Sequence, residues 1–125
     1  MKKIFTTLAI AIFASSVFAA STFASEVTAD NTSSYSERNE CVLANSTDTY
    51  SLTLKYGDET MVMVSGDGDT DLDLYIYDEY GNLVASDTDT TDTMIAIWTP
   101  KRTGKYTIKI KNWGSVRNYY TMWIY

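Results

Sequence analysis

The clearest periodic signal in the chain is the stretch Asp71-Leu72-Asp73-Leu74-Tyr75-Ile76-Tyr77-Asp78. Its aliphatic residues recur at every second position, which is the period of a β-strand with one buried face. The turn residues Gly81 and Asn82 follow closely and predict a hairpin, with residues 83–86 returning as the partner strand. One face of this hairpin is therefore expected to lie in a core.

The same period of two continues on both sides of this hairpin. Residues 60–65 are rich in β-formers with apolar side chains on both faces, so this run is expected in the middle of a sheet. Residues 94–98 predict a further strand, which ends at Pro100. Three other runs alternate in the same way, at Tyr50, Leu52 and Leu54, at Tyr106, Ile108 and Ile110, and at Tyr120, Met122 and Ile124. Short runs separated by turn signals predict an all-β protein, an antiparallel β-sandwich of about eight strands.

The first 24 residues have the pattern of a secretory signal peptide. Two lysines precede an apolar run over residues 4–13, and small residues follow, so cleavage is expected after Ala19, Ala20 or Ala24. The apolar run is shorter than the ~20 residues that a membrane span needs. The protein is therefore expected to be secreted or periplasmic.

The rest of the chain is expected to form a flexible polar leader over residues 25–40 and one domain over residues 41–125. Removing Lys2 and Lys3 from the 10 basic residues leaves 8 against 16 acidic ones. Nucleic acid is not an expected partner, because phosphate repels such an acidic surface. Cys41 is the only cysteine, so stability must come from the core or from a bound metal rather than from a disulfide within the chain.

Several motifs, taken in order, resemble the bacterial pre-peptidase C-terminal domain. They are Asp48-Thr49-Tyr50-Ser51-Leu52, Gly57, the stretch from Asp71 to Asp78, Gly81-Asn82, Trp98-Thr99-Pro100, Gly104-Lys105-Tyr106-Thr107-Ile108 and Tyr120-Thr121-Met122. The resemblance implies a jelly-roll-like sandwich and a non-catalytic accessory role, since such domains are usually appended to secreted peptidases and other exported hydrolases. The clostridial collagen-binding domains are similar at a greater distance and bind calcium. No peptidase precedes the motifs here, so the resemblance leaves the partner open.

Aspartates are concentrated around this hairpin. If the hairpin turns at Tyr80, Asp73 and Asp71 face Asp87 and Asp89, and like charges placed opposite each other destabilise a sheet. A hard cation with oxygen ligands would offset that repulsion. A calcium site is therefore predicted at Asp69, Asp71, Asp73, Asp87 and Asp89. The alternative is that these are solvated loop carboxylates that keep the protein soluble.

Aromatic residues are abundant, with ten tyrosines and three tryptophans. Tyr50, Tyr106 and Tyr120 lie on the apolar faces of their strands and are expected in the core. A second set is predicted to bind a ligand, because exposed aromatic rings beside polar groups commonly bind sugars or extended peptides. This set is Tyr75, Tyr77, Trp113 and Trp123. The alternative is a second buried face or ordinary cross-strand packing of tyrosines.

Catalysis has little support in the sequence. There is no histidine, and no G-x-S-x-G, P-loop or H-E-x-x-H motif. Paired carboxylates of the glycosidase type are present, but a solvated Asp-rich loop lacks the dry pocket that raises the pKa of a catalytic acid. The sequence thus predicts a secreted, non-catalytic, calcium-stabilised module that binds protein or polysaccharide. Two alternatives stay open, a self-associating structural or cell-surface protein and a secreted partner or inhibitor of a peptidase.

Overall fold

The computed structural model describes residues 24–27 and 36–125, and these contain nine strands and no helix. The strands are β1 Ala24–Val27, β2 Ser36–Val42, β3 Thr47–Leu54, β4 Thr60–Gly66, β5 Leu72–Tyr77, β6 Leu83–Asp87, β7 Thr93–Trp98, β8 Gly104–Asn112 and β9 Asn118–Ile124. No helix capable of spanning a membrane occurs in the described ranges. The prediction of an all-β fold is confirmed.

The strands form two sheets that pack face to face as a sandwich. The five-stranded sheet has the order β1-β3-β8-β5-β6, and the four-stranded sheet has the order β2-β9-β4-β7. All neighbouring strands described are antiparallel except β1 and β3. Strands that are neighbours in a sheet are mostly distant in sequence, as in a sandwich with crossover connections.

The core lies between the two inner faces and follows the alternation of the sequence. In β5 the side chains of Leu72, Leu74 and Ile76 are fully buried. Full burial of each such side chain contributes about 1.5–3 kcal/mol relative to exposure. The tyrosines predicted in the core are buried, namely Tyr50, Tyr106 and Tyr120. The buried side chains of the two sheets form one hydrophobic core, and Cys41 is a free cysteine.

A bulge changes the expected pairing of β5 with β6. Tyr77 lies opposite Leu83, as expected, but the register shifts between Ile76 and Tyr77. One extra residue in β6 causes the shift, as in β-bulges generally. Asp87 consequently lies opposite Leu74. The prediction that Asp87 faces Asp73 is wrong.

The polar segment before the domain is partly strand. Ala24–Val27 pairs parallel to β3, and Ser36–Val42 pairs with β9 along its whole length. β2 therefore begins inside the predicted leader, because a polar sequence suits an edge strand that has one open side. The predicted signal peptide lies outside the described residues apart from Ala24, so its cleavage stays a prediction.

Candidate binding face

The five aspartates predicted as calcium ligands do not meet at one point. Asp69 lies in the exposed loop between β4 and β5. Asp87 accepts a hydrogen bond from the backbone N–H of Ile95 in the other sheet at 2.9 Å. Asp89, beyond the end of β6, accepts hydrogen bonds from the N–H and the hydroxyl of Thr91 at 2.8 and 2.6 Å. Three of the five therefore belong to separate local structures.

Asp71 and Asp73 lie together at the beginning of β5. Asp73 is buried, and its Oδ2 accepts hydrogen bonds from the hydroxyl of Tyr75 at 2.7 Å and from the indole N–H of Trp113 at 2.6 Å. Asp71 is partly exposed, but its Oδ1 is buried and has no hydrogen-bond partner. Burial raises the pKa of Asp71, and the charges of Asp73 and Asp89 raise it further. The Asp71 carboxylate is therefore under electrostatic strain in its ionised form.

This arrangement does not fit the predicted calcium site. Within residues 24–27 and 36–125, no three or more Asp, Glu, Cys or His side chains are placed to hold a metal ion together. Calcium takes about six to eight oxygen ligands, whereas Asp73, Asp87 and Asp89 already accept protein donors. Calcium binding stays a prediction from the sequence.

Asp71→Asn is expected to raise the melting temperature at neutral pH in the presence of a chelator. The pKa of Asp71 is raised in the folded state, so the protonated form favours folding, and stability is lost as the pH rises through that pKa. The amide removes the charge, so the gain should be present at neutral pH and vanish near about pH 3, below the ordinary pKa of aspartate. Thermal unfolding followed by circular dichroism measures the melting temperature at neutral pH and at about pH 3.

Asp58→Asn is the matched control, because Asp58 is an exposed aspartate in another loop. It should leave the melting temperature nearly unchanged at both pH values. A melting temperature of Asp71→Asn equal to that of the unmodified protein at neutral pH would contradict the strain assigned to Asp71. If calcium instead raises the melting temperature of the unmodified protein and not that of Asp71→Asn, the carboxylate serves as a calcium ligand.

Three of the four predicted ligand-binding aromatics lie on the outer face of the five-stranded sheet. Tyr75 and Tyr77 alternate with the buried residues of β5, and their rings stack at 6.5 Å between centroids with 26° between planes. The pairing of β5 with β8 places two lysines on the same face. Lys109 Nζ lies 5.3 Å from the ring centroid of Tyr77, and Lys111 Nζ lies 5.0 Å from that of Trp113. We call these five residues, Tyr75, Tyr77, Lys109, Lys111 and Trp113, the aromatic strip.

Asp73 fixes the orientation of two rings in the aromatic strip. Its carboxylate holds both the phenol of Tyr75 and the indole of Trp113, although Trp113 is 56% exposed. The hydrogen bond to Asp73, with burial and nearby negative charge, raises the pKa of Tyr75 to about 12. The phenol therefore stays protonated and keeps donating its hydrogen bond at any ordinary pH. The result is an exposed aromatic surface with a fixed shape.

Trp123 is not part of this surface. It lies on the outer face of the four-stranded sheet, opposite Glu37 of β2 and Met63 of β4. The outer faces of a sandwich point in opposite directions. The prediction that Trp123 shares a site with the other three aromatics is therefore wrong. On its β4 side, Met63 pairs with Ile95 of β7, and Ile95 and Ile97 are exposed on the same face.

A buried asparagine that sequence reasoning did not identify supports the loop of Trp113. The side chain of Asn112 is fully buried at the end of β8. Its amide nitrogen donates to the carbonyls of Val116 at 2.8 Å and Leu43 at 3.2 Å, and its oxygen accepts the N–H of Gly114 at 2.8 Å. An asparagine two residues before a glycine is a turn signal that could have marked it.

No protein-family model matches the sequence, and a search of curated proteins finds no match. Solved structures do match. The pre-peptidase C-terminal domain of a collagenase from Bacillus anthracis superposes with a TM-score of 0.69 at 12% identity, covering 83% of this chain and 96% of that domain. This chain has the fold of a pre-peptidase C-terminal domain. The resemblance seen in the sequence is confirmed for the fold.

Two other solved structures share the architecture. PliG of Aeromonas hydrophila, a periplasmic inhibitor of g-type lysozyme, has a TM-score of 0.58 and 13% identity over 81% of this chain and 95% of that one. A mitogen from Yersinia pseudotuberculosis has a TM-score of 0.57 and 12% identity over 73% of this chain and 84% of that one. At these identities the similarity establishes the sandwich alone.

Proposed function

We propose that this protein is a secreted, non-catalytic binding module whose ligand lies along the aromatic strip. The observation that carries the proposal is Trp113, which is 56% exposed and yet held in place by Asp73 at 2.6 Å. An exposed ring whose orientation is already fixed loses little conformational entropy when a ligand covers it. Tryptophan and tyrosine are also the residue types that most often dominate binding energy.

The shape of the strip favours an extended polymer over a small molecule. Tyr75 and Tyr77 follow one another along β5, and Trp113 continues the strip at the end of β8. Three cavities among the described residues are lined by other side chains, and none of these three includes Tyr75, Tyr77 or Trp113. A row of rings along two neighbouring strands suits a polysaccharide chain or an extended protein segment, whereas small ligands bind in concave pockets.

The chemistry of the strip supports binding rather than catalysis. Asp73 is the buried acid of this face, and its Oδ2 accepts two protein donors. A general acid or base has to reach the proton that it transfers in a bound substrate. Asp73 therefore acts as a positioning residue for the rings.

A second candidate function is inhibition of an exported hydrolase. The fold is shared with PliG, described as an inhibitor of g-type lysozyme. The loops at the Trp113 end of the sandwich also expose apolar side chains, with Leu43 60% exposed and Val116 50% exposed beside Arg117. Binding residues are often on loops, and exposed apolar patches mark interaction sites, so this end of the sandwich is a candidate contact for an enzyme.

A pull-down tests the proposal and separates its ligand classes. Purified protein is mixed with insoluble cellulose, chitin and peptidoglycan, and with fibrillar collagen, each with calcium and with chelator. Retention on one class and not on the other is expected, and calcium dependence would support the sequence prediction of a metal. Loss of lysozyme activity on added protein, without retention on any polymer, would favour the inhibitor. Failure of every arm, together with concentration-dependent assembly in size-exclusion chromatography, would overturn the proposal in favour of a self-associating protein.

A further inference from the structure

A cavity of ≈ 320 Å³ lies at the other end of β8 from Trp113. It opens between the loop that joins β5 to β6 and the loop that joins β7 to β8. Its apolar lining includes Val84, Trp98, Pro100 and Tyr106. This volume is at the lower end of the range for small-ligand sites, which is about 300–1,000 Å³.

The lining contains a buried donor with no acceptor. Trp98 is 7% exposed, and its indole N–H has no hydrogen-bond partner among the described residues. The ring of Tyr106 lies 6.2 Å away, but its hydroxyl donates to the backbone carbonyl of Arg102 at 3.0 Å. An indole N–H can only donate, and leaving it unpaired in a buried position costs free energy. The nitrogen itself has almost no exposed surface, so a ligand oxygen would satisfy it once the ring shifts toward the cavity.

The rim of the cavity carries three cations, Lys101, Arg102 and Lys105. The ion pair found among the described residues lies elsewhere, between Arg38 and Glu40. Among residues 24–27 and 36–125, the rim cations therefore have no carboxylate partner within ion-pair distance. In an acidic protein, these cations mark a place where an anion would be attracted.

Two acids, Asp78 and Glu79, also line the cavity, and Asp78 is held within its own turn. Asp78 accepts a hydrogen bond from the backbone N–H of Tyr80 at 2.9 Å. It accepts two more from Asn82, from the backbone N–H at 2.8 Å and from the side-chain amide at 3.0 Å. The bonds from Asn82 lower the pKa of Asp78, so it stays ionised within its own turn. The carboxylate of Glu79 lies against Gly104, where a Cβ would come within 3.2 Å of its oxygens. The lining therefore carries three cations against two acids, a net positive charge.

We propose that this cavity binds an apolar group that carries a carboxylate. The apolar part packs on Trp98 and Val84, a carboxylate oxygen accepts the N–H of Trp98, and the lysines at the rim neutralise the charge. A free aromatic or aliphatic acid and the C-terminal residue of a peptide share this chemistry. The site is separate from the aromatic strip, so the proposal does not depend on the function proposed above.

The test follows the indole N–H signals of the three tryptophans by ¹H–¹⁵N NMR, with Trp98→Phe identifying the signal of Trp98. N-acetylphenylalanine represents the free acid, and a short peptide ending in phenylalanine represents the C-terminus. Each is compared with its amidated form, which lacks the charge. We expect the carboxylates to shift the Trp98 signal saturably, with a Kd of about 1 mM. The amides should bind more weakly, by about tenfold or more.

Two variants locate the charge that is recognised. The double variant Lys101→Gln and Lys105→Gln should weaken carboxylate binding about tenfold, because it removes two rim cations. The control variant Lys55→Gln, at an exposed lysine that does not line the cavity, should leave it unchanged. No saturable shift of the Trp98 signal with any probe, or equal binding of acid and amide, would overturn the proposal. Binding of the peptide but not of N-acetylphenylalanine would assign the site to protein C-termini.

Discussion

Asn112→Ala should lower the free energy of unfolding by about 3–5 kcal/mol, the largest effect we expect from a single polar substitution in this chain. The side chain is fully buried and bridges the end of β8 to two other segments. Alanine leaves the carbonyl of Val116 and the N–H of Gly114 without these partners, and it removes one donor from the carbonyl of Leu43, which keeps those of Ser46. Each unsatisfied buried group costs about 1–3 kcal/mol, and the lost volume adds a cavity term. Urea denaturation measures the change.

The matched control is Asn39→Ala, which removes an exposed asparagine that accepts one hydrogen bond, from Thr121 at 2.7 Å. That substitution should cost less than about 1 kcal/mol. Similar losses for the two variants would show that Asn112 does not support the loop as its hydrogen bonds indicate. A large loss at Asn112 alone is the result expected if its hydrogen bonds support the loop of Trp113.

The periodicity of the sequence predicted the strands because burial of alternate residues is a local property. Leu72, Leu74 and Ile76 must share a face in any extended chain. The hydrophobic effect favours burial of that face in a core. The neighbours of a strand are not a local property. That β5 lies between β8 and β6 depends on loop paths and on the packing of both sheets. The bulge beside Tyr77 is equally hard to see in the sequence, because nothing in the composition of β6 marks where the extra residue falls.

The same distinction explains which site residues were predicted. Tyr75 and Tyr77 were assigned to an outer face because they alternate with buried residues in their own strand. Alternation gives the face of a sheet but not which of two sheets a strand joins, so Trp123 was grouped with them and lies on the other side of the sandwich. The role of Asp73 could not be predicted either. Its two donors come from its own strand and from a loop some 40 residues later, and only the fold brings them together.

Trp113→Ala is expected to weaken binding of the polymer retained in the pull-down by about 2–4 kcal/mol, roughly 30-fold or more, with little loss of stability. The ring is 56% exposed, so its removal leaves no large cavity in the core. It does remove the most exposed ring of the aromatic strip and the surface on which Lys111 rests. Binding isotherms on the retained polymer, with thermal unfolding of the same samples, separate the two effects.

Tyr119→Ala gives the matched comparison, because Tyr119 is 54% exposed but lies on the outer face of the four-stranded sheet. If the ligand lies along the aromatic strip, Tyr119→Ala keeps full affinity and Trp113→Ala loses it. Equal loss in both variants would mean a nonspecific aromatic contribution, and loss in Tyr119→Ala alone would move the site to the opposite face.

Asp73→Ala then tests the orientation of the strip. This variant keeps all three aromatic side chains but removes the carboxylate that orients Tyr75 and Trp113. Affinity should fall only if the ligand requires the fixed orientation of the rings and not just their presence.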